Sequence, residues 1–485
     1  MSIEQIKTPN FKSYNNKYNK IQTNYNANNS SYINRTIKKT NPDKNGEKTF
    51  LYLAAAGIAI TAGIHLARKG KASSARAVSD NIPVQRFSDY ILELVNDMRN
   101  AFKEDIKPES LLCVMSKEEF VSEISKLKKE NYIASAENIE KGIFCADLHS
   151  HSVFSDGKGS VSDILEGVCS YADKLHRKNG KKFIFALTDH DSADGVKEAL
   201  HIISKNPDKF KNVRFVTGSE VSYLIKSNKT SNPAETSELL VYGFNPFSKK
   251  VENFFENVRN RRIKARLDYI EELSGKFPET KFSEEEFLDI FLGDRKTHHP
   301  MMNSFWKVYH YGQIKKVLSD TAKAKGLNPE EYFKTCMSKA PQNCTLDGFK
   351  QHGLIEDWIS ENEEIRVINK RYLPEIAGNG EFIPKSENTA EDIANAFRGE
   401  KECTMGFAHP FFISERNDNI LDILKYVKEK IGSQVMFTES YHMAYSKDIL
   451  QRFSGEIARI SEMFEGEKLI PIGGRDNHYS SFLNL

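Results

Sequence analysis

The groups in this chain best suited to chemistry are histidines and carboxylates that recur at the ends of short apolar runs. IFCADLH leads into His149-Ser150-His151, and FIFALTDH ends in Asp189, His190 and Asp191. VRFVTGSE ends in Glu220, TMGFAHP carries His409, VMFTESYH carries Glu439 and His442, and LIPIGGRDNH carries Asp476 and His478. Six of the 13 histidines fall in these motifs, too many for an ordinary core role to explain them all. Imidazoles and carboxylates without a thiolate suit Zn, Mn or Fe at catalytic sites. His149 and His151 are two apart on an extended segment, so they face one side and one ion can take both. The other runs bring enough donors for two or three divalent ions. Neighbouring cations bridge a phosphate and acidify water into a hydroxide nucleophile. Phosphoryl transfer needs that charge neutralisation more than it needs a protein nucleophile.

Such residues must be positioned by a scaffold. From Ile143 onward short apolar runs, LLVYGF among them, alternate with helical patterns. That alternation predicts a parallel sheet or barrel. In parallel α/β barrels the C-terminal strand ends share one face, so separate positions converge there. The alternation stops between Phe244 and about Glu400, where NFFENVRNRRIKARLDYIEEL and further helix-like runs predict a helical insertion at 246–400. Arg259, Arg261, Arg262 and Arg266 on that first run either guide an anionic substrate or form a solvated face.

Upstream, residues 1–49 are polar, poor in aliphatics and expected to be disordered. Phe50–Ala67 (FLYLAAAGIAITAGIHLA) is apolar, and residues 50–68 read either as a membrane anchor at the lower limit of length or as a buried Ala-rich helix. Residues 69–142 form a helical linker or capping region. Phe87, Ile91, Leu94, Val95, Met98 and Phe102 recur at helical spacing, and Ser116 with Glu119 makes a capping box ahead of Val121, Ile124 and Leu127. These helices are expected either as a stalk or packed on the main domain. Lys+Arg is 69 against Asp+Glu 67, so net charge points neither toward nor away from nucleic acid. The six cysteines include no C-x-x-C pair and read as reduced thiols, which fits a cytoplasmic catalytic domain with or without a membrane tether.

DLHSHSVFSDG, ALTDHDS, GSEVS, GFAHP and GGRDNH, in this order, resemble the motifs of the polymerase-and-histidinol-phosphatase (PHP) family. The likeness runs from about Ile143 to Leu485 and is nearest to the branch of nucleotide phosphoesterases with a helical insertion. It implies an α/β fold, a distorted seven-stranded β/α barrel holding two or three metals. By motif it implies one metal on His149, His151, Glu220 and Asp476, another on Asp156, His190 and His478, and a bridge from Glu220 to a further site that includes His409. The implied activity is hydrolysis of phosphate esters of nucleotides or short 5′-phosphorylated oligonucleotides. Alternatives are another small phosphomonoester such as histidinol phosphate, and a non-catalytic membrane-tethered scaffold on a decayed barrel. No protein partner is inferable.

Three positions depart from the family pattern. Leu240 stands where the branch has a histidine, leaving His442 or Asp189 as a substitute ligand or as a group behind the ligands. Arg475 occupies the usual place of a small residue and is expected either to grip a phosphate or to point away at the surface. The arginine-histidine pair of the insertion is blurred into KTHHP, with His299 the nearest match. Lys385, after the proline of EFIPKSEN, reads as a phosphate-binding or a solvated loop lysine.

Overall fold

The computed structural model describes residues 87–224, 236–281, 302–338, 363–372, 388–410, 420–442 and 469–478. The chain divides into the units Met1–Gln85 and Arg86–Leu485, and all described residues belong to the second. Among them no helix is long and apolar enough to cross a membrane. The apolar segment at 50–68 lies outside the described residues, as do His299 and Lys385.

The centre is one seven-stranded sheet whose strands follow chain order: β1 Ala146–Asp147, β2 Phe183–Leu187, β3 Val213–Leu224, β4 Thr236–Tyr242, β5 Thr404–Phe407, β6 Val435–His442 and β7 Ile470–Gly474. Every residue of β2, FIFAL, is buried, as expected for a strand covered on both faces. Just past β1 and β7 a parallel bridge joins Ser150 to Asn477, with His151 N–H donating to Asn477 O at 3.0 Å. The first and last strands thus meet, and the sheet is a nearly closed barrel. β4 alone runs against its neighbours. The connection 225–235 is shorter than the crossover of about a dozen residues that a parallel pair requires, so β3 and β4 form a hairpin.

Two N-terminal helices, α1 Asp89–Phe102 and α2 Lys117–Lys129, share the barrel's apolar core. Ser88 caps α1 by accepting from Ile91 N–H, and Ser116 with Glu119 forms the capping box of α2. The helices bury Leu94, Met98, Phe120 and Ile124 completely. Phe120 packs on Tyr242 and Phe437, with ring centroids 5.4 and 5.2 Å away. Those residues are the last of β4 and one near the start of β6, so α2 closes the end of the barrel opposite to the parallel strands' C-termini. Val114 bridges to Phe215 in the first half of β3 at the same end.

The short helix α3 Ala136–Glu140 precedes β1, α4 Val161–Asn179 links β1 to β2, and α5 Asp194–Lys205 links β2 to β3. α4 begins at the Ser160 cap and stops at Gly180, whose φ of 73° suits glycine. The regular elements described between β4 and β5 are helical: α6 Lys249–Lys276, α7 Met302–Ala324, α8 Pro329–Met337, α9 Glu363–Tyr372 and α10 Ala390–Phe397, with a short 3-10 turn. α11 Ile420–Ile431 links β5 to β6.

Candidate metal centre

At the open end of the barrel the strand termini bring nine donor side chains into three groups. The first is His149, His151, Glu220 and Asp476; the second is His151, Asp156, His190 and His478; the third is Glu220, Glu238 and His409. The eight residues singled out in the sequence therefore converge, from segments more than 300 positions apart.

Glu220, at 0% exposure, is the hub. Its Oε2 lies 3.1 Å from His149 Nε2, 3.3 Å from His151 Nε2 and 3.2 Å from His190 Nδ1, while Oε1 lies 2.9 Å from His409 Nε2. Asp476 Oδ1 is 2.9 Å from His151 Nε2 and 3.4 Å from His149 Nε2. Asp156 faces His478 at 3.0 Å and His190 at 3.7 Å. Backbone strain accompanies this convergence: His409 and Asp476 are non-glycine residues at φ 25° and 49°. Such strain persists only where the surroundings over-determine it.

A second ring of side chains aims the imidazoles. Glu439, fully buried, takes His149 Nδ1 at 3.1 Å and accepts from His409 N–H at 2.7 Å. This assigns the proton of neutral His149 to Nδ1 and turns the Nε2 lone pair toward Glu220 and Asp476. A Cβ at Gly474 would come within 2.4 Å of both Glu439 Oε1 and His149 Cβ, so glycine is what lets that pair meet. Asp189 accepts from Ser152 N–H, Ser152 Oγ and Ser155 Oγ, each at 2.7 Å. Ser155 Oγ in turn lies 3.3 Å from His151 Nδ1. Asp189 therefore sits behind the ligand set and acts on His151 through Ser155.

The groups fit divalent cations. His151 Nε2, Glu220 Oε2 and Asp156 Oδ1 are buried atoms without a hydrogen-bond partner of acceptable geometry, and all three point into the groups. Titration follows the same crowding. Burial alone would push His151 down, but the close approach of the Asp476 and Glu220 carboxylates outweighs that and raises it to about 10. Burial also opposes His409, which its hydrogen bond to Glu220 raises to about 9. Asp156, despite burial, is drawn to about 2 by the close His478 imidazole and the charges of His190 and His151. In the metal-free protein protons thus offset the carboxylates, where cations would otherwise do so.

Several expectations need correction. Arg475 is neither a phosphate clamp nor a surface arginine: its Nε donates to Asp147 Oδ2 at 2.7 Å, its guanidinium lies 5.5 Å from the Phe144 ring, and it is 4% exposed. Arg259, Arg261 and Arg262 of α6 are not a solvated face either, and the side chain of Arg266 lies outside the described residues. Arg262 is buried against Asp191 at 2.9 Å, Arg261 donates to Asn388, and Arg259 lies 3.8 Å from Asp194. His442 pairs by its backbone with Gly474, and its side chain lies outside the described residues. Leu240 is buried opposite Glu220 in β3, as far from ligation as its chemistry implies. Glu238 is the donor the sequence reading missed. It sits two residues before Leu240 on the same face of β4, and the reversed strand carries it to the open end.

The fold and the site together define an α/β protein with a seven-stranded, nearly closed barrel and buried His/Glu/Asp groups able to hold metal ions. No protein-family model matches the chain, and no curated protein matches it. Among solved structures it is similar to a candidate metal-dependent phosphoesterase from Bifidobacterium adolescentis, at 17% identity and TM-score 0.38, covering 69% of this chain and 87% of that one. It is also similar to an amidohydrolase from Chromobacterium violaceum, at 16% identity and TM-score 0.37, covering 69% of this chain and 88% of that one. Likenesses this weak carry no weight for the site, which rests on its own side chains.

Proposed function

We propose that this chain is a metal-dependent phosphoesterase acting on phosphate esters of nucleotides or short nucleic-acid ends. The observation that carries the reading is the meeting of nine imidazole and carboxylate donors at one end of the barrel, with Glu220 shared between two of their groups. His149, His151, Glu220 and Asp476 would hold one divalent ion, Asp156, His190 and His478 another, and His409 with Glu220 a third. Ions bound there would offset the charge on phosphoryl oxygens and make water acidic near neutrality.

The chain's own residues divide the remaining tasks. Glu439 and the Asp189–Ser155 pair hold His149 and His151 in the tautomer that offers a lone pair. His478, Asp156 and Asp476 are the most exposed members, with side chains 32%, 28% and 19% accessible, so substrate meets the site from their side. α6 rises beside it, pinned through Arg262 to Asp191, the residue after His190. A helical wall there suits a substrate larger than a bare phosphomonoester.

The test is phosphate release by the chain supplied with Mn2+ or Zn2+, comparing adenosine 3′,5′-bisphosphate, a short 5′-phosphorylated RNA and histidinol phosphate. Release from one of the first two, lost in Asp476→Ala, supports the reading. Release from histidinol phosphate alone would move it to a small-molecule phosphatase. No bound metal and no turnover would make the barrel a binding scaffold.

A further inference from the structure

We infer that Glu238, Glu220 and His409 form an oxygen-rich third cation site, with Glu238 supplying the donor that Leu240 cannot. The inference rests on the metal-dependent reading above and concerns the kind of ion one part of that centre takes. Leu240 and Glu238 project from the same face of β4, because side chains two apart on a strand share a face. Leu240 is opposite Glu220 and Glu238 is opposite Ser222, one step nearer the open end of the barrel. Glu238 Oε2 reaches to 3.9 Å from His409 Nε2, and Glu220 Oε1 to 2.9 Å from the same nitrogen. The Glu220 side chain is 1% exposed, and its Oε2 has no hydrogen-bond partner of acceptable geometry. This carboxylate is shaped to bridge, with one oxygen toward His149, His151 and His190 and the other toward His409.

The donor sets of the three groups differ in kind. His151 Nε2 faces Glu220 and Asp476, which leaves Asp156 with His190 and His478. In the group of Glu238 alone, carboxylates outnumber imidazoles. Carboxylate oxygens favour harder ions such as Mn2+ and Mg2+, whereas imidazole-rich sets suit Zn2+. Glu238 and His409 are also partly accessible, at 17% and 15% of their side chains, whereas His149 and His151 are sealed. The third ion is therefore the hardest of the set, and more exchangeable than the one held by the sealed His149 and His151.

The experiment is metal stoichiometry by equilibrium dialysis and elemental analysis on the full chain, wild type beside Glu238→Gln and Glu238→His. With Mn2+ alone the wild type should bind three equivalents, one for each group. Glu238→Gln, nearly isosteric, should hold the third about 100-fold more weakly or worse, more than the loss of an outer-shell partner usually costs. With limiting Zn2+ and excess Mn2+, the wild type should retain Mn2+ as its last equivalent, and Glu238→His should exchange it for Zn2+. Equal stoichiometry in wild type and Glu238→Gln, with phosphate release intact, would overturn the third site and leave the proposed function standing. A wild type that binds no metal would overturn both.

Discussion

Replacing Arg262 with methionine would leave a charged carboxylate where there is almost no water. The Arg262 and Asp191 side chains are 2% and 4% exposed and meet at 2.9 Å. Asp191 is further committed by accepting from Ser222 N–H at 3.0 Å and Ser222 Oγ at 2.9 Å, and its backbone stands at φ 46°. Breaking a buried pair from one side costs about 3–5 kcal/mol, because the surviving charge is neither hydrated nor matched. The two hydrogen bonds from Ser222 remain, which places Arg262→Met near the lower end, about 3 kcal/mol. In a domain of this size that loss lowers the melting temperature by roughly 5–10 °C. The assay is urea and thermal unfolding of wild type, Arg262→Met, Asp191→Asn and the double variant. Removing both charges should cost at least about 1 kcal/mol less than the sum of the single changes. Additivity within about 0.5 kcal/mol would refute the claim that a desolvated pair ties α6 to the barrel rim. Because Asp191 follows His190, Arg262→Met should also weaken metal retention by Asp156, His190 and His478, and unchanged retention would confine the pair to a purely structural role.

Three other outcomes are expected. A chain beginning at Ile143 should fail to fold, because Leu94, Met98, Leu111, Phe120, Ile124 and Leu127 are core residues whose burial is worth roughly 10 kcal/mol, comparable to the stability of a whole domain; a cooperative unfolding transition in that fragment would defeat the assignment. Metal loading should release protons, since His151 and His409 titrate at about 10 and about 9 without metal and a cation needs their lone pairs; calorimetry at pH 7 in buffers of different ionisation enthalpy reads the number released, and zero would contradict it. By the same linkage these raised imidazoles stabilise the metal-free fold fully below about 6.5 and lose that effect as pH rises through about 9 to 10. Glu198 carries the same sign in a lower window: burial and the Asp189 charge raise it to about 7, so the folded state holds its proton longer than the unfolded one and stability falls as pH rises from about 4.5 to 7. Glu198→Gln should therefore raise the melting temperature at pH 8 and leave it unchanged near pH 4, and a pH-independent effect would exclude the titration.

What could be read in the sequence, and what could not, follows from how far each signal reaches along the chain. Helix caps and helical periodicity are local, so Ser116 with Glu119 and the apolar face from Ile91 to Met98 were legible as residues alone. The convergence of His149, His190, Glu220, His409 and Asp476 was legible for a different reason: parallel strands deliver their C-terminal ends to one face, and four of these residues follow such ends while Glu220 lies just past the stretch of β3 that pairs with β2. Charge type without partner was the weak signal. Arg475 and Arg262 read as surface or substrate-facing cations, yet each is neutralised by a buried aspartate from a distant segment, Asp147 and Asp191.

Glu238 shows the same limit more sharply. The rule that ligands follow the strand holds only while strands run the same way. The short connection before Thr236 forces β4 to reverse, and a reversed strand brings its beginning to the open end of the barrel. The donor then lies before the apolar core of LLVYGF, inside TSELL, where a rule about strand ends does not look. Leu240 is thus no sign of a decayed site: the strand keeps a donor on the same face, shifted by one pleat toward solvent, and exchanges an imidazole for a carboxylate. That exchange changes which ion is favoured while the bridging geometry of Glu220 stays available to either.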